Sequence, residues 1–140
     1  MTPHAAPVVL LIDDHDDTRD MYALGLRERG FHVYDAADGS AALLQASEHP
    51  PSIIVTDLRL RGEVSGLNLC RHFGQQGIPV IVLTGVTGAR EHEDVRRAGC
   101  RALLVKPVLP DTVETEIRRI LTEPRSGSVA SRTLHSLRHP

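Results

Sequence analysis

The chain has 140 residues, of which 41% are hydrophobic and 24% are charged, and its formal net charge is −2. This length and apolar content fit one globular domain with a buried core, and the balanced charges argue against a basic nucleic-acid or membrane surface. No apolar run approaches the ~20 residues of a transmembrane helix, and the N-terminus lacks the features of a signal peptide, so we expect a soluble cytoplasmic protein.

Five short runs rich in Val, Ile and Leu are typical of β-strands, at 8–12, 31–36, 52–56, 79–84 and 101–105. Because these runs are nearly continuous rather than alternating, we expect a parallel sheet that is covered on both faces. A segment with helical spacing of apolar residues follows each run. Glycines at 30, 77 and 99 lie where three of these helices would end.

The repeated order of strand and helix predicts a doubly wound α/β domain with right-handed crossovers over residues 8–122. Residues 1–7 form a leader in this interpretation. Residues 123–140 lose the periodicity and are rich in Ser, Arg and His, so we expect a flexible tail there.

The two cysteines, Cys70 and Cys100, form no CxxC pair. A single bridge is not the disulfide framework of a small secreted domain. We therefore expect both to be buried free thiols, as free cysteines commonly are.

Polar side chains follow four of the five predicted strands, at the end where parallel α/β sheets bind their ligands. They are Asp13, Asp14, Asp57, Thr84 and Lys106. Each residue alone is better explained as a turn or surface residue, and Asp16, Asp17 and Asp20 suit the N-terminal turns of a helix. Together, three carboxylates, a hydroxyl and an ammonium at one edge indicate a functional site.

The three carboxylates require a cation. Two of them about 4 Å apart repel by roughly 4 kcal/mol at an effective dielectric constant near 20. Mg²⁺ prefers oxygen ligands and binds through one or two carboxylates together with water and phosphate oxygens. This chemistry predicts Mg²⁺ at Asp13, Asp14 and Asp57, with Lys106 and Thr84 binding the other oxygens of a phosphoryl group.

With these residues, the chain resembles the receiver domain of two-component response regulators over nearly all of residues 8–122. The matching segments are "LLIDDHDDTRDMYALGLRERGF", "AADGSAALLQA", "IIVTDLRL", "PVIVLTG" and "AGCRALLVKPV". The resemblance implies a CheY-like, flavodoxin-like fold with Asp57 as the phosphoacceptor. It also implies that Asp13, Asp14, Asp57 and the backbone carbonyl of Arg59 bind Mg²⁺.

The resemblance further implies that Thr84 moves toward the phosphoryl group, that Lys106 pairs with it, and that the Lys106–Pro107 peptide is cis. Two features depart from the family pattern. Leu103 stands where the family usually has an aromatic switch residue, and the loop from Asp57 to Gly66 is one residue longer than the common form.

The expected partners are a sensor histidine kinase or a phosphotransfer protein, and a separate downstream output protein. The output surface would be formed by the fourth helix, the fifth strand and the fifth helix. We expect no direct binding of nucleic acid or membrane, and leave a homodimer open. The protein would be a signalling module that catalyses its own phosphorylation and dephosphorylation rather than an enzyme acting on other molecules.

Three alternatives differ in function. The stretch "DHDDT" fits the DxDxT signature of haloacid dehalogenase-like phosphatases, with Asp14 as nucleophile and Asp16 as general acid. Against it, no acidic pair follows a later strand, and Asp57 would have no role. A dinucleotide-binding domain would need a glycine-rich motif after the first strand, and the sequence has none. A receiver-like scaffold that is not phosphorylated would have no need of all five site residues.

Overall fold

The computed structural model of the chain describes residues 5–85 and 88–123. Residues 1–4 of the expected leader and 124–140 of the expected tail lie outside these ranges. Strands and helices alternate along the chain as β1 (Val8–Ile12), α1 (Asp16–Glu28), β2 (His32–Ala36), α2 (Gly39–Glu48), β3 (Ile53–Asp57), α3 (Gly66–Gln75), β4 (Val80–Thr84), α4 (Ala89–Arg97), β5 (Ala102–Val105) and α5 (Pro110–Thr122). Across the described ranges, no helix is long and apolar enough to cross a membrane.

The five strands form one parallel sheet in the order β2-β1-β3-β4-β5. This is the strand order of a flavodoxin-like fold, and it confirms the predicted fold class. Four of the strands begin one residue later than predicted. At β2, the backbone N–H of Phe31 still donates to the carbonyl of Leu26 at the end of α1, so pairing begins at His32.

The core lies in two apolar layers, one on each face of the sheet. Side chains of α1 and α5, such as Leu26 and Ile117, cover one face. Side chains of α2, α3 and α4, such as Leu69 and Val95, cover the other face. Burial on both faces explains why the strand sequences are almost continuously apolar.

Helix α3 begins with a capping box formed by Ser65 and Asn68. The backbone N–H of Asn68 donates to the hydroxyl of Ser65, and the backbone N–H of Ser65 donates to the side-chain carbonyl of Asn68. Two N–H groups that the helix leaves without partners are thereby satisfied. The cap defines where the loop after Asp57 ends.

The prediction of free thiols is wrong, because Cys70 and Cys100 form a disulfide. Both residues are buried, as expected. Cys70 lies in α3 and Cys100 lies in the connection from α4 to β5, and packing on one face of the sheet brings their Cα atoms to 5.5 Å. That separation lies within the range that a disulfide spans.

Candidate functional site

Three carboxylates meet at the carboxyl edge of the central strands. Asp13 directly follows β1, and Asp57 is the last residue of β3, which pairs with β1. The side chain of Asp13 is 3% exposed, and those of Asp14 and Asp57 are 11% and 12% exposed. The sheet register therefore gathers the acidic groups at one edge, as the sequence predicted, and the structure shows that these groups are largely buried.

Lys106 lies among these carboxylates. Its Nζ donates to Oδ2 of Asp57 at 3.1 Å and to Oδ2 of Asp13 at 3.3 Å. Burial alone would lower the pKa of Lys106, but the charges and hydrogen bonds of Asp57 and Asp13 outweigh it and hold the pKa above its usual value. The ammonium is thus kept charged beside Asp57. The following peptide, Lys106–Pro107, is cis, as the resemblance implied.

Thr84 is the last residue of β4, and its side chain is buried. The backbone N–H of Lys106 donates to the carbonyl of Thr84 at 2.8 Å, which ties the two positions together. Leu103 lies inside β5, is 2% exposed, and packs in the apolar layer of α2, α3 and α4. Leu103 is therefore a core side chain, and it pairs with Val82, two positions before Thr84 on β4.

Arg59 contacts the acidic cluster through its backbone. Its N–H donates to Oδ1 of Asp57 at 3.4 Å. The two carboxylate oxygens of Asp57 thus have different neighbours, with Arg59 at Oδ1 and Lys106 at Oδ2. The role predicted for the Arg59 carbonyl in metal binding stays a prediction.

Two basic residues at the cluster, His15 and Arg61, were missed by the sequence analysis. Nδ1 of His15 lies 3.0 Å from Oδ1 of Asp14 and 3.3 Å from Oδ1 of Asp13. Nε of Arg61 lies 3.6 Å from Oδ2 of Asp14. The position of His15 directly after two aspartates was the available signal, whereas Arg61 lies in the loop that departs from the family pattern.

The cluster fits a metal ion. One ligand atom from each of Asp13, Asp14, His15 and Asp57 lies within 4.8 Å of all the others. Adjacent ligands of an octahedral ion with ~2.1 Å bonds are about 3 Å apart and opposite ones about 4 Å apart, so small side-chain movements would bring these atoms into one coordination sphere. Oδ1 of Asp14 is buried and accepts no hydrogen bond. An acidic group that could hold a metal is therefore present.

Other acidic residues at the start of α1 point elsewhere. The side chain of Asp16 is 80% exposed and accepts a hydrogen bond from Arg19 at 2.8 Å. Asp17 and Asp20 are exposed on α1. The helix-terminus role expected for all three fits this placement, and Asp16 is not gathered with Asp14 as the general acid of a phosphatase would be.

Comparison with known proteins identifies the class. The family model for the response regulator receiver domain matches residues 9–118 of this chain. Among solved structures, the chemotaxis protein CheY4 of Vibrio cholerae is 28% identical with a TM-score of 0.76, covering 83% of this chain and 99% of its own. A putative response regulator from Chloroflexus aurantiacus is 29% identical with a TM-score of 0.78, covering 84% of this chain and 99% of its own. These matches leave the phosphatase and dinucleotide-binding alternatives without support.

Curated relatives include longer regulators. The transcriptional regulatory protein AfsQ1 of Streptomyces coelicolor is 31% identical over 94% of this chain and 58% of its own length. KdpE of Mycobacterium tuberculosis is 32% identical over 79% of this chain and 49% of its own length. The chain thus spans about half the length of such relatives, and another is named as a DNA-binding response regulator. These names conflict with the expectation of no nucleic-acid binding. The chain belongs to the response regulator receiver domain family.

Proposed function

We propose that Asp57 accepts a phosphoryl group from the phosphohistidine of a sensor kinase or from a small phosphodonor such as acetyl phosphate. The observation that carries this proposal is the placement of Lys106 between Asp57 and Asp13, at 3.1 and 3.3 Å. A half-buried ammonium there attracts the donor's phosphoryl group and can bind a phosphoryl oxygen. The Asp57 side chain keeps 12% of its surface exposed, so a donor can reach it from solvent.

In the transfer step, a carboxylate oxygen of Asp57 attacks the phosphorus of the donor. The bond from phosphorus to the donor histidine nitrogen breaks, the nitrogen keeps the electron pair, and a proton on the other ring nitrogen makes the leaving group neutral. The product is an acyl phosphate on Asp57 and a neutral imidazole on the kinase. Lys106 balances the negative charge on the phosphoryl oxygens, while the buried surroundings strengthen that interaction. Hydrolysis of the acyl phosphate by water would reset the site.

Asp13, Asp14, Asp57 and the Arg59 carbonyl are the proposed ligands of Mg²⁺. When bound, Mg²⁺ supplies charge neutralisation and alignment of the phosphoryl oxygens. The carboxylate of Asp13 has a second task, because its Oδ2 also accepts a hydrogen bond from Lys106. Asp13 therefore holds the ammonium in position next to Asp57.

Phosphorylation would then alter the surface formed by α4, β5 and α5. The added charge of about −1.5 to −2 attracts the Thr84 hydroxyl and Lys106. Thr84 leads into α4 and Lys106 follows β5, so a shift at either one is transmitted to that face. We propose that the face signals to a separate output protein. Because a sensor kinase obtains its phosphoryl group from ATP, we place the protein in the cytoplasm.

Trapping the acyl phosphate tests the proposal. The protein is incubated with Mg²⁺ and acetyl phosphate, reduced with borohydride, digested and analysed by peptide mass spectrometry. We expect the label at Asp57 and its complete loss in Asp57→Asn, because the amide removes the attacking charge while nearly preserving the shape.

Two further variants separate the alternatives. Asp14→Asn should weaken Mg²⁺ binding, so that its labelling recovers in part at high Mg²⁺, and Asp16→Asn should label normally. Label on Asp14 would favour the phosphatase. Absence of label in the parent protein and in every variant would favour the scaffold that is not phosphorylated. Labelling of the parent protein without Mg²⁺ would contradict the metal site.

A further inference from the structure

We propose that His15 is an additional ligand of the metal site and makes it favour borderline divalent ions, such as Co²⁺ and Zn²⁺, more than three carboxylates alone would. This inference rests on the proposed function, because it uses the same carboxylates of Asp13, Asp14 and Asp57. It adds a nitrogen ligand, which changes the class of ion that the site selects.

The first support is distance. Nδ1 of His15 lies 3.0 Å from Oδ1 of Asp14 and 3.3 Å from Oδ1 of Asp13. These separations are close to the ~3 Å between adjacent ligands around an ion with bonds of ~2.1 Å. His15 also contributes one ring nitrogen to the set of four ligand atoms that lie within 4.8 Å of one another.

The second support is the backbone at His15. This residue is the N-cap of α1, a position where Ser, Thr, Asp or Asn usually caps the helix with its side chain, yet the His15 side chain makes no capping hydrogen bond. Instead, its backbone N–H donates to Oδ1 of Asp13 at 2.8 Å. The turn therefore holds the imidazole beside the carboxylates and leaves its side chain without a capping role.

The third support is the weakness of the competing explanation, in which His15 only forms an ion pair with Asp13 and Asp14. Although the Asp14 carboxylate is 11% exposed, the His15 side chain is 68% exposed, so solvent weakens the attraction between the two groups. An imidazole nitrogen at this distance can instead act as a ligand to a metal ion held by the carboxylates. Imidazole nitrogen suits Co²⁺ and Zn²⁺, whereas Mg²⁺ prefers oxygen.

The test compares metal affinities of the full chain by isothermal titration calorimetry with Mg²⁺ and Co²⁺. In His15→Gln, we expect Co²⁺ affinity to fall about tenfold while Mg²⁺ affinity changes less than about twofold. The chain has 8 histidines, and Co²⁺ can also bind at those outside the site. The affinity is therefore taken only from the Co²⁺ that excess Mg²⁺ displaces. His15→Ala serves as a second variant.

Two controls separate ligation from charge. His32→Gln removes an exposed imidazole at the start of β2, at the opposite edge of the sheet, and should leave both affinities unchanged. Arg61→Gln removes a cation beside Asp14 and should raise the affinities for Mg²⁺ and Co²⁺ by the same factor. Only a ligand changes the ratio between the two ions.

A spectroscopic measurement identifies the bond directly. Mn²⁺ in the same site should show ¹⁴N modulation in pulsed electron paramagnetic resonance, and His15→Gln should abolish it. An unchanged ratio of Co²⁺ to Mg²⁺ affinity in both His15 variants, or absence of ¹⁴N modulation, would overturn the inference while leaving Mg²⁺-dependent labelling of Asp57 intact. If Mg²⁺ itself fails to bind, the proposed metal site fails together with the inference.

Discussion

Cys70 in α3 is joined by a disulfide to Cys100, which lies between α4 and β5, across a sequence separation of 30 residues. Both cysteines are buried in the layer of α2, α3 and α4. The bond therefore ties α3 to the segment that enters β5, the strand that Lys106 follows. It also restrains the end of α4, one border of the proposed output surface.

Loss of this disulfide should destabilise the domain. We expect the free energy of unfolding to fall by about 2–4 kcal/mol in the double variant Cys70→Ala, Cys100→Ala, because the unfolded chain regains the freedom that the bond removes. Chemical denaturation of the oxidised protein and the variant measures the difference. A reductant should lower the stability of the parent protein and leave the variant unchanged, whereas equal stability of parent and variant would contradict the bond.

Gly66 lies against the backbone of the phosphoacceptor. A Cβ atom at Gly66 would lie 2.4 Å from the carbonyl oxygen of Asp57 and 2.7 Å from that of Leu58. Because backbone atoms cannot move aside easily, we expect Gly66→Ala to lower the free energy of unfolding by about 1–3 kcal/mol. The variant should also be labelled more slowly by acetyl phosphate, since Asp57 must shift.

Gly74 provides the matched control in the same helix. A Cβ atom at Gly74 would meet no neighbouring atom within 4 Å. Gly74→Ala should therefore raise the free energy of unfolding by about 0.5–1 kcal/mol, because alanine loses less backbone freedom in a helix. Equal effects of the two substitutions would show that the contact of Gly66 with Asp57 is unimportant.

Tyr22 should make stability fall at alkaline pH. Its hydroxyl donates to the carbonyl of Val108 at 2.6 Å, and burial raises its pKa. A raised pKa in the folded state means that the unfolded protein loses the proton first. The contribution is complete below the unfolded pKa of about 10 and is lost as the pH rises through the folded pKa.

We therefore expect Tyr22→Phe to lower stability by about 1 kcal/mol near neutral pH and by less above pH ~10. The free energies of unfolding of the two proteins, measured with denaturant from neutral pH to above pH ~10, give the difference. The chain has 2 tyrosines and no tryptophan, so tyrosinate absorbance in a Tyr34→Phe background follows Tyr22 alone. Titration of Tyr22 at or below its usual pKa would refute this account.

Leu103 should respond weakly to phosphorylation. It has no ring to turn toward Thr84, and it is fully packed in the core. Under acetyl phosphate and Mg²⁺, we expect larger amide NMR shifts at Thr84 and Gly85 than at Leu103. Lys106 is the one lysine in the sequence, so lysine-selective labelling gives a single side-chain signal that should shift as well. Asp57→Asn is the control, and an equal shift at Leu103 would contradict the prediction.

The order of strands and helices could be predicted from the sequence because it depends on local patterns. Runs such as 8–12 and 52–56 are apolar enough to be buried on both faces, and glycines follow three of the helices, α1, α3 and α4. Gly77 and Gly99 have φ angles of 77° and 88°, which only glycine adopts easily. The meeting of Asp13, Asp57 and Lys106 follows from this order, since parallel strands present their carboxyl ends at one edge.

The contacts that the sequence analysis missed, or predicted wrongly as for the two cysteines, depend on tertiary packing. Cys70 and Cys100 are distant in sequence, and only the packing of α3 beside the α4–β5 connection makes them neighbours. His15 and Arg61 reach Asp14 through the directions that the turn after β1 and the loop after β3 give to their side chains. Residue order determined the sheet and its acidic edge, whereas side-chain direction across separate elements decided that His15 and Arg61 lie beside that edge and that the two cysteines are bonded.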